Sequence, residues 1–211
     1  MMKSSEDLIQ LSDYRRRVRD LYAEVIRSGS GGRHTWERYR ATREELFRHH
    51  PQSALNAEQQ KRFKGLPYFE YDPDLRFKIC LEGLRGAEVI EVKLEADGLT
   101  RLQPFGKVKF EIDGQMQSLT LYWILGYGGG VFLPFRDATA GDMSYGGGRY
   151  LLDTIKGADL GREMDEWVID FNYSYNPSCA YNVRWHCPLA PRENWLDVSI
   201  CAGEKVFADP I

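Results

Sequence analysis

"VKFEIDGQMQSLTLYWI", Val108 to Ile124, decides the fold. Val108, Phe110 and Ile112 alternate with Lys109 and Glu111, and a period of two places the two sets on opposite faces of a strand. Asp113-Gly114 interrupts this alternation before Leu119, Leu121 and Trp123 resume it. An Asp-Gly step between alternating runs predicts a type I′ hairpin, whose two central residues both need positive φ. Upstream, Ile90, Val92 and Leu94 alternate with Glu91, Lys93 and Glu95, and Asp97-Gly98 supplies a second turn signal. Further strands are expected at Val131–Arg136, Arg149–Asp153, Trp167–Asn172 and Trp195–Cys201. No helix of crossover length separates these runs, so the expectation for Phe69–Phe207 is an antiparallel β-barrel or sandwich.

The chain ahead of these strands reads as helical, making the fold mainly β and α+β overall. In "SSEDLIQLSDYRRRVRDLYAEVIRSG" Leu8, Leu11, Tyr14, Val18, Leu21 and Val25 recur at helical spacing, with Ser5 as a cap. Asp13, Asp20 and Glu24 surround "RRRVR" (Arg15–Arg19), which makes that run a solvated face. "GSGG" (Gly29–Gly32) is a flexible break. Residues 1–32 are thus expected to be an appended helix and linker, with a homodimer contact through that helix as one use, and 33–211 a single domain. Thr35 caps a second expected helix, with Trp36, Tyr39, Leu46 and Phe47 on its apolar face, ending before Pro51. Asn56 and Gln59 form a capping box for a third that stops at Gly65.

Composition narrows the function classes. With 211 residues, 43% hydrophobic and 28% charged, the chain can bury a sizeable core in one domain. A net charge of -3 argues against electrostatic capture of nucleic acid. "MMKSSEDLIQ" lacks the apolar run of a signal peptide, and no stretch approaches membrane-spanning length. Cys80, Cys179, Cys187 and Cys201 are too scattered for a disulfide scaffold. The expected location is the cytoplasm, with reduced thiols.

"FRDATAGDMSYGGGRYLL" and "DFNYSYNPSCAYNVRWHCPLAPRENWLDVSICAGEK", with the upstream "WERYRATREELF" and "FKGLPYFEYDPDLRF", resemble a bacterial and archaeal family of domains of unknown function, the one numbered sixteen eighty-four. The resemblance runs from about Trp36 to Lys205 and implies one continuous domain. It brings no activity and no catalytic residues.

The chemistry therefore rests on the residues themselves. Cys179, His186 and Cys187 are soft or borderline metal ligands, but their spacing lacks the paired ligands of a closed tetrahedral site. No structural zinc and no cofactor are expected. Cys179 as nucleophile with His186 as base makes a thiol-dependent hydrolase or transferase one reading, against an inert packed cysteine. "GYGGG" (Gly126–Gly130) and "YGGGRY" (Tyr145–Tyr150) read as turns, with an anion-binding loop at Arg149 as the other possibility. Asp170 and Asn172 share one strand face, followed by Tyr173, Tyr175, Asn176, Tyr181 and Asn182, groups suited to a hydrogen-bonded pocket wall. The leading expectation is a small-molecule-binding β domain. Asp137, Tyr145, Arg149, Asp170, Asn172 and Tyr181 would line its pocket, and Arg149 would face an anionic group. Arg149 is expected to meet the 170–181 segment across one cavity, paired with ligand or with Asp137, Asp153 or Asp170. A structural or interaction domain is the third reading.

Overall fold

The hairpin at Val108–Ile124 forms as its alternation requires, with Asp113 at φ 50° and Gly114 at φ 74°. It lies at the centre of a computed structural model that describes residues 4–29, 32–94 and 98–208. In chain order the elements are α1 (Ser5–Arg27), α2 (Gly32–His49), α3 (Ala57–Arg62), β1 (Arg76–Cys80), β2 (Glu82–Gly83), β3 (Ile90–Leu94), β4 (Gly98–Ile112), β5 (Gln115–Ile124), β6 (Gly130–Phe135), β7 (Arg149–Asp153), β8 (Arg162–Glu163) and β9 (Glu166–Asp170). Ser30, Gly31 and Asp97, which belong to the two expected breaks, lie outside the described residues, while Gly98 pairs with Leu94 at the start of β4.

The described strands make two antiparallel sheets. One runs β2-β4-β5-β6-β7 with β3 also on β4, and the other runs β1-β9-β8. They meet through Phe77, Phe110, Phe135 and Phe171, whose ring centroids lie 5.1 to 6.1 Å apart. The sheets do not close on themselves, so the arrangement is a packed pair of sheets and the barrel alternative is set aside.

A bulge at Phe105 explains how one long strand serves two clusters. Pairing between β4 and β5 shifts by one residue between Pro104 and Gly106, and with a side-chain period of two such a shift exchanges faces. Before it, Leu102 joins Tyr122, Phe132 and Tyr150 in a small cluster; after it, Val108, Phe110 and Ile112 join the main core. Tyr122 is therefore buried, and Trp123, expected beside Leu119 and Leu121, is 41% exposed.

The helices correct the expected domain division. Val18, Leu21, Tyr22 and Val25 of α1 belong to the same core cluster as Leu133, Leu151 and Val168 of the sheets. Tyr22 and Tyr39 join α1 to α2 through hydroxyls 3.0 Å apart. The Gly29–Gly32 stretch thus separates two packed helices, and α1 is part of the domain. Leu8, Ile9 and Ile26 of α1 remain exposed. Ser4, rather than Ser5, caps α1 in a box with Asp7, and Thr35 lies buried inside α2. Asn56 and Gln59 form the expected reciprocal box on α3, which ends at Arg62. Among the described residues no helix is long and apolar enough to cross a membrane.

Leu21→Ala should lower the free energy of unfolding of the whole chain by about 2–5 kcal/mol, read as a shifted urea midpoint by circular dichroism. An unchanged midpoint would mean that α1 contributes nothing to the core.

Candidate functional site

Arg149 is completely buried at the start of β7, and its anion is Asp137, 3.0 Å away. The guanidinium also donates to the backbone carbonyls of Ile200 at 2.9 Å, Ala202 at 2.5 Å and Glu204 at 3.2 Å. The other Asp137 oxygen accepts from the Thr139 hydroxyl at 2.7 Å and the Ile200 amide at 2.8 Å. Side chains therefore serve the backbone here as a neighbouring strand otherwise would. For that reason the expected strand Trp195–Cys201 is an irregular segment, with a single bridge from Trp195 to Arg136. Arg149 and Asp137 tie the C-terminal segment to the sheet. Asp153 pairs with Lys156 at 3.2 Å.

Asp170 and Asn172 form a second, separate cluster. Asp170 Oδ1 accepts from the Asn172 amide at 3.0 Å and from its Nδ2 at 2.9 Å, capping a short 3-10 turn at Phe171–Tyr173. Asn172 in turn accepts from the Asp72 amide at 2.8 Å and donates to its carbonyl at 2.6 Å, while its own carbonyl takes the Trp36 indole at 3.0 Å. These residues clamp the approach to β1 and do not face Arg149. Burial pushes the Asp170 carboxyl up to about 6, only partly offset by Asn172 and by Arg76, whose Nε lies 3.8 Å away.

Tyr181 belongs to a third cluster, centred on a residue the sequence reading passed over. Glu204, fully buried, takes the Arg43 Nε at 2.6 Å, the Tyr68 hydroxyl at 3.1 Å, the Asn176 amide at 2.8 Å and the Tyr181 hydroxyl. Its backbone carbonyl accepts from Arg149, which is how Tyr181 and Arg149 are joined. Arg43 is 6% exposed, with its guanidinium 4.9 Å from the ring centres of both Phe47 and Tyr175. Burial opposes its charge, but Glu204 holds its pKa well above the ordinary range.

Arg43 also forms part of the wall of a small, partly open cavity of about 60 Å³ between α1, α2 and the 175–181 segment. Tyr14, Tyr22, Tyr150, Tyr175 and Tyr181 line it, with Lys156 and Asn176 at its edge. One guanidinium N–H goes to Glu204 and another lies beside the Tyr181 hydroxyl, so Arg43 stands at the cavity held by two partners. Asn176 Oδ1, buried at the same wall, has no partner among the described residues. Larger concavities of about 910 and 1040 Å³ lie along α1–α2 and beside α3, but both are open surface grooves. The small cavity is the better candidate, because its polar lining residues Arg43, Tyr150, Tyr181 and Asn176 are buried, and buried polar groups discriminate where exposed charges do not.

Tyr145 stands next to the thiols, its hydroxyl 3.6 Å from Cys179 Sγ. Cys187 and burial together raise the Cys179 thiol. Cys187 is lowered to about 6 by the Cys179 S–H, by the Cys179 and Ser178 amides and by Lys156, against the effect of burial. Among the described residues no cluster of three or more His, Cys, Asp or Glu side chains is arranged to hold a metal ion.

Two measurements check this geometry. Arg149→Ala should destabilise the chain by about 3–5 kcal/mol in urea, since it leaves Asp137 buried without its cation. Asp170 should act in the opposite sense to a salt-bridged acid. Its raised pKa means that the folded state holds the proton more tightly, so its contribution favours folding in acid and is lost as pH rises from 3.8 to about 6. Relative to Asp170→Asn, the wild type should lose on the order of 3 kcal/mol across that window. A pH-independent difference would place Asp170 in a wetter environment than described.

A comparison with curated proteins returns no match. Among solved structures, the chain is similar to an uncharacterized protein of Haloarcula marismortui determined by solution NMR, with 32% identity and a TM-score of 0.56, over 80% of this chain and 91% of that one. A family profile described as "Protein of unknown function (DUF1684)" matches residues 61–205, ending one residue beyond the buried Glu204. The chain belongs to the DUF1684 family.

Proposed function

We propose that this chain is a small-molecule-binding protein whose ligand places a carboxylate-sized acceptor group in the tyrosine-lined cavity, against Arg43 and Lys156. The observation that carries this reading is a buried guanidinium in the wall of a cavity that five tyrosines and Lys156 also line. Cationic groups gathered at a partly desolvated space favour an occupant with acceptor oxygens. Asn176 Oδ1 supports a ligand that also carries a donor. The cavity volume of about 60 Å³ suits a small acid or one end of a larger molecule that enters between α1 and the 175–178 segment. Arg149, which the sequence made the anion contact, is replaced in that role by Arg43. The reading retains the cytoplasmic setting expected from the chain's free thiols.

Native mass spectrometry of freshly purified protein should show a retained small molecule, and acetate, formate and inorganic phosphate should be tested for raising the melting temperature. Lys156→Gln, which also removes the partner of Asp153, should weaken that stabilisation at least several-fold, read as the anion-induced rise above the variant's own melting temperature. The absence of both a retained molecule and any stabilisation by the three anions would refute the proposal.

A further inference from the structure

Among the described residues, Arg43 and Lys156 are the two charged side chains in the wall of the small cavity, and each already faces a carboxylate. Arg43 Nε lies 2.6 Å from Glu204, and Lys156 Nζ lies 3.2 Å from Asp153. Two cations against two carboxylates leave the site with no net formal charge. Arg43, Glu204 and Asp153 are buried, so water poorly screens any further charge placed beside them.

Asn176 sets a second requirement. Its backbone amide donates to Glu204 at 2.8 Å, and its Nδ2 donates to the Lys205 carbonyl at 2.8 Å. The second bond fixes the orientation of the side-chain amide, because a flipped amide would set its oxygen against the Lys205 carbonyl. Oδ1 is thereby left buried without a partner among the described residues, on a side chain that lines the cavity. An acceptor in that position costs stability until a donor reaches it.

We propose that the ligand of this cavity is a small zwitterion, an α-amino acid of glycine or alanine size. Its carboxylate meets Arg43 and Lys156, and its ammonium donates to Asn176 Oδ1. This deepens the acid-binding reading given above and rests on it. A plain carboxylate adds an uncompensated negative charge to a site whose cations are already neutralised. A hydroxy acid donates to Asn176 but carries the same excess charge, and a simple amine lacks the acceptor oxygens. A zwitterion brings both signs on neighbouring atoms and keeps the total at zero. The five tyrosines of the wall also suit an ammonium, since aromatic faces attract cations. At roughly 10–15 Å³ for each water-sized occupant, the space of about 60 Å³ holds about four to six heavy atoms. That is the size of glycine or alanine.

The test is isothermal titration calorimetry on the full chain, first dialysed until native mass spectrometry shows no retained molecule. Glycine, L-alanine, glycolate, acetate and methylamine are the separate titrants, in inorganic buffer. Glycine or L-alanine should bind at least about tenfold more tightly than the other three, the effect of one hydrogen bond to a charged group. Asn176→Ala should reduce the advantage of glycine over acetate to about twofold or less. Should that variant fail to fold, the ranking measured on the wild type decides by itself. Acetate or glycolate binding as tightly as glycine would overturn the zwitterion and leave the acid-binding reading standing. An Asn176→Ala variant that keeps the full preference for glycine would also overturn it. Methylamine as the tightest ligand, or no binding by any of the five, would overturn both readings together.

Discussion

The carboxylate of Glu204 holds together parts of the chain that no sheet connects. Through it, Arg43 of α2, Tyr68 ahead of the strands, and Asn176 and Tyr181 after the last strand converge on one buried group near the C-terminus. A buried ion in a low-dielectric interior is tolerated only when its oxygens are fully used, and here both are. Of these partners Arg43, Asn176 and Tyr181 also line the cavity. One neutralised charge pair and its hydrogen bonds thus fix α2, the 176–181 stretch and part of the cavity wall relative to one another.

Arg149 and Asp137 perform a related task in a different way. Together they satisfy the carbonyls of Ile200, Ala202 and Glu204 and the amide of Ile200, groups that would pair with another strand in a regular sheet. This positions Glu204 at the end of an otherwise irregular segment. The two ion pairs are therefore coupled, since one fixes the backbone from which the other projects. Asn194 extends the same device, with its amide bonded to Thr120 and Pro134 in the main sheet.

Legibility in the sequence differed between the fold and the site. The hairpin at Asp113-Gly114, β7 and the α3 capping box could be read from local spacing, because turn geometry and side-chain alternation are properties of neighbouring residues. The stretch Trp195–Cys201 misled, because its backbone pairs in part with Arg136 and Ala138, which lie beyond the end of β6, and in part with the side chains of Arg149 and Asp137. At the site, Tyr181 and the thiols stand out by residue type, and Asp137 is one of the three acids that the sequence offers Arg149, but the choice among them is made in space. One signal was available for Arg43. It falls on the apolar stripe of α2 between Tyr39 and Phe47, where a charge requires a buried partner. Lys156 carried no such mark.

The sequence by itself determined the antiparallel strands, their first hairpin, the helical start and the supply of tyrosines, cysteines and paired charges. Each of these depends on interactions that reach only a few residues along the chain. Only the tertiary structure decided that α1 enters the core, that Arg149 is neutralised by Asp137, and that Arg43 meets Glu204 across 161 positions. Charge pairing depends on distance in space and on exclusion of water, and both are set when the sheets and helices close around these side chains.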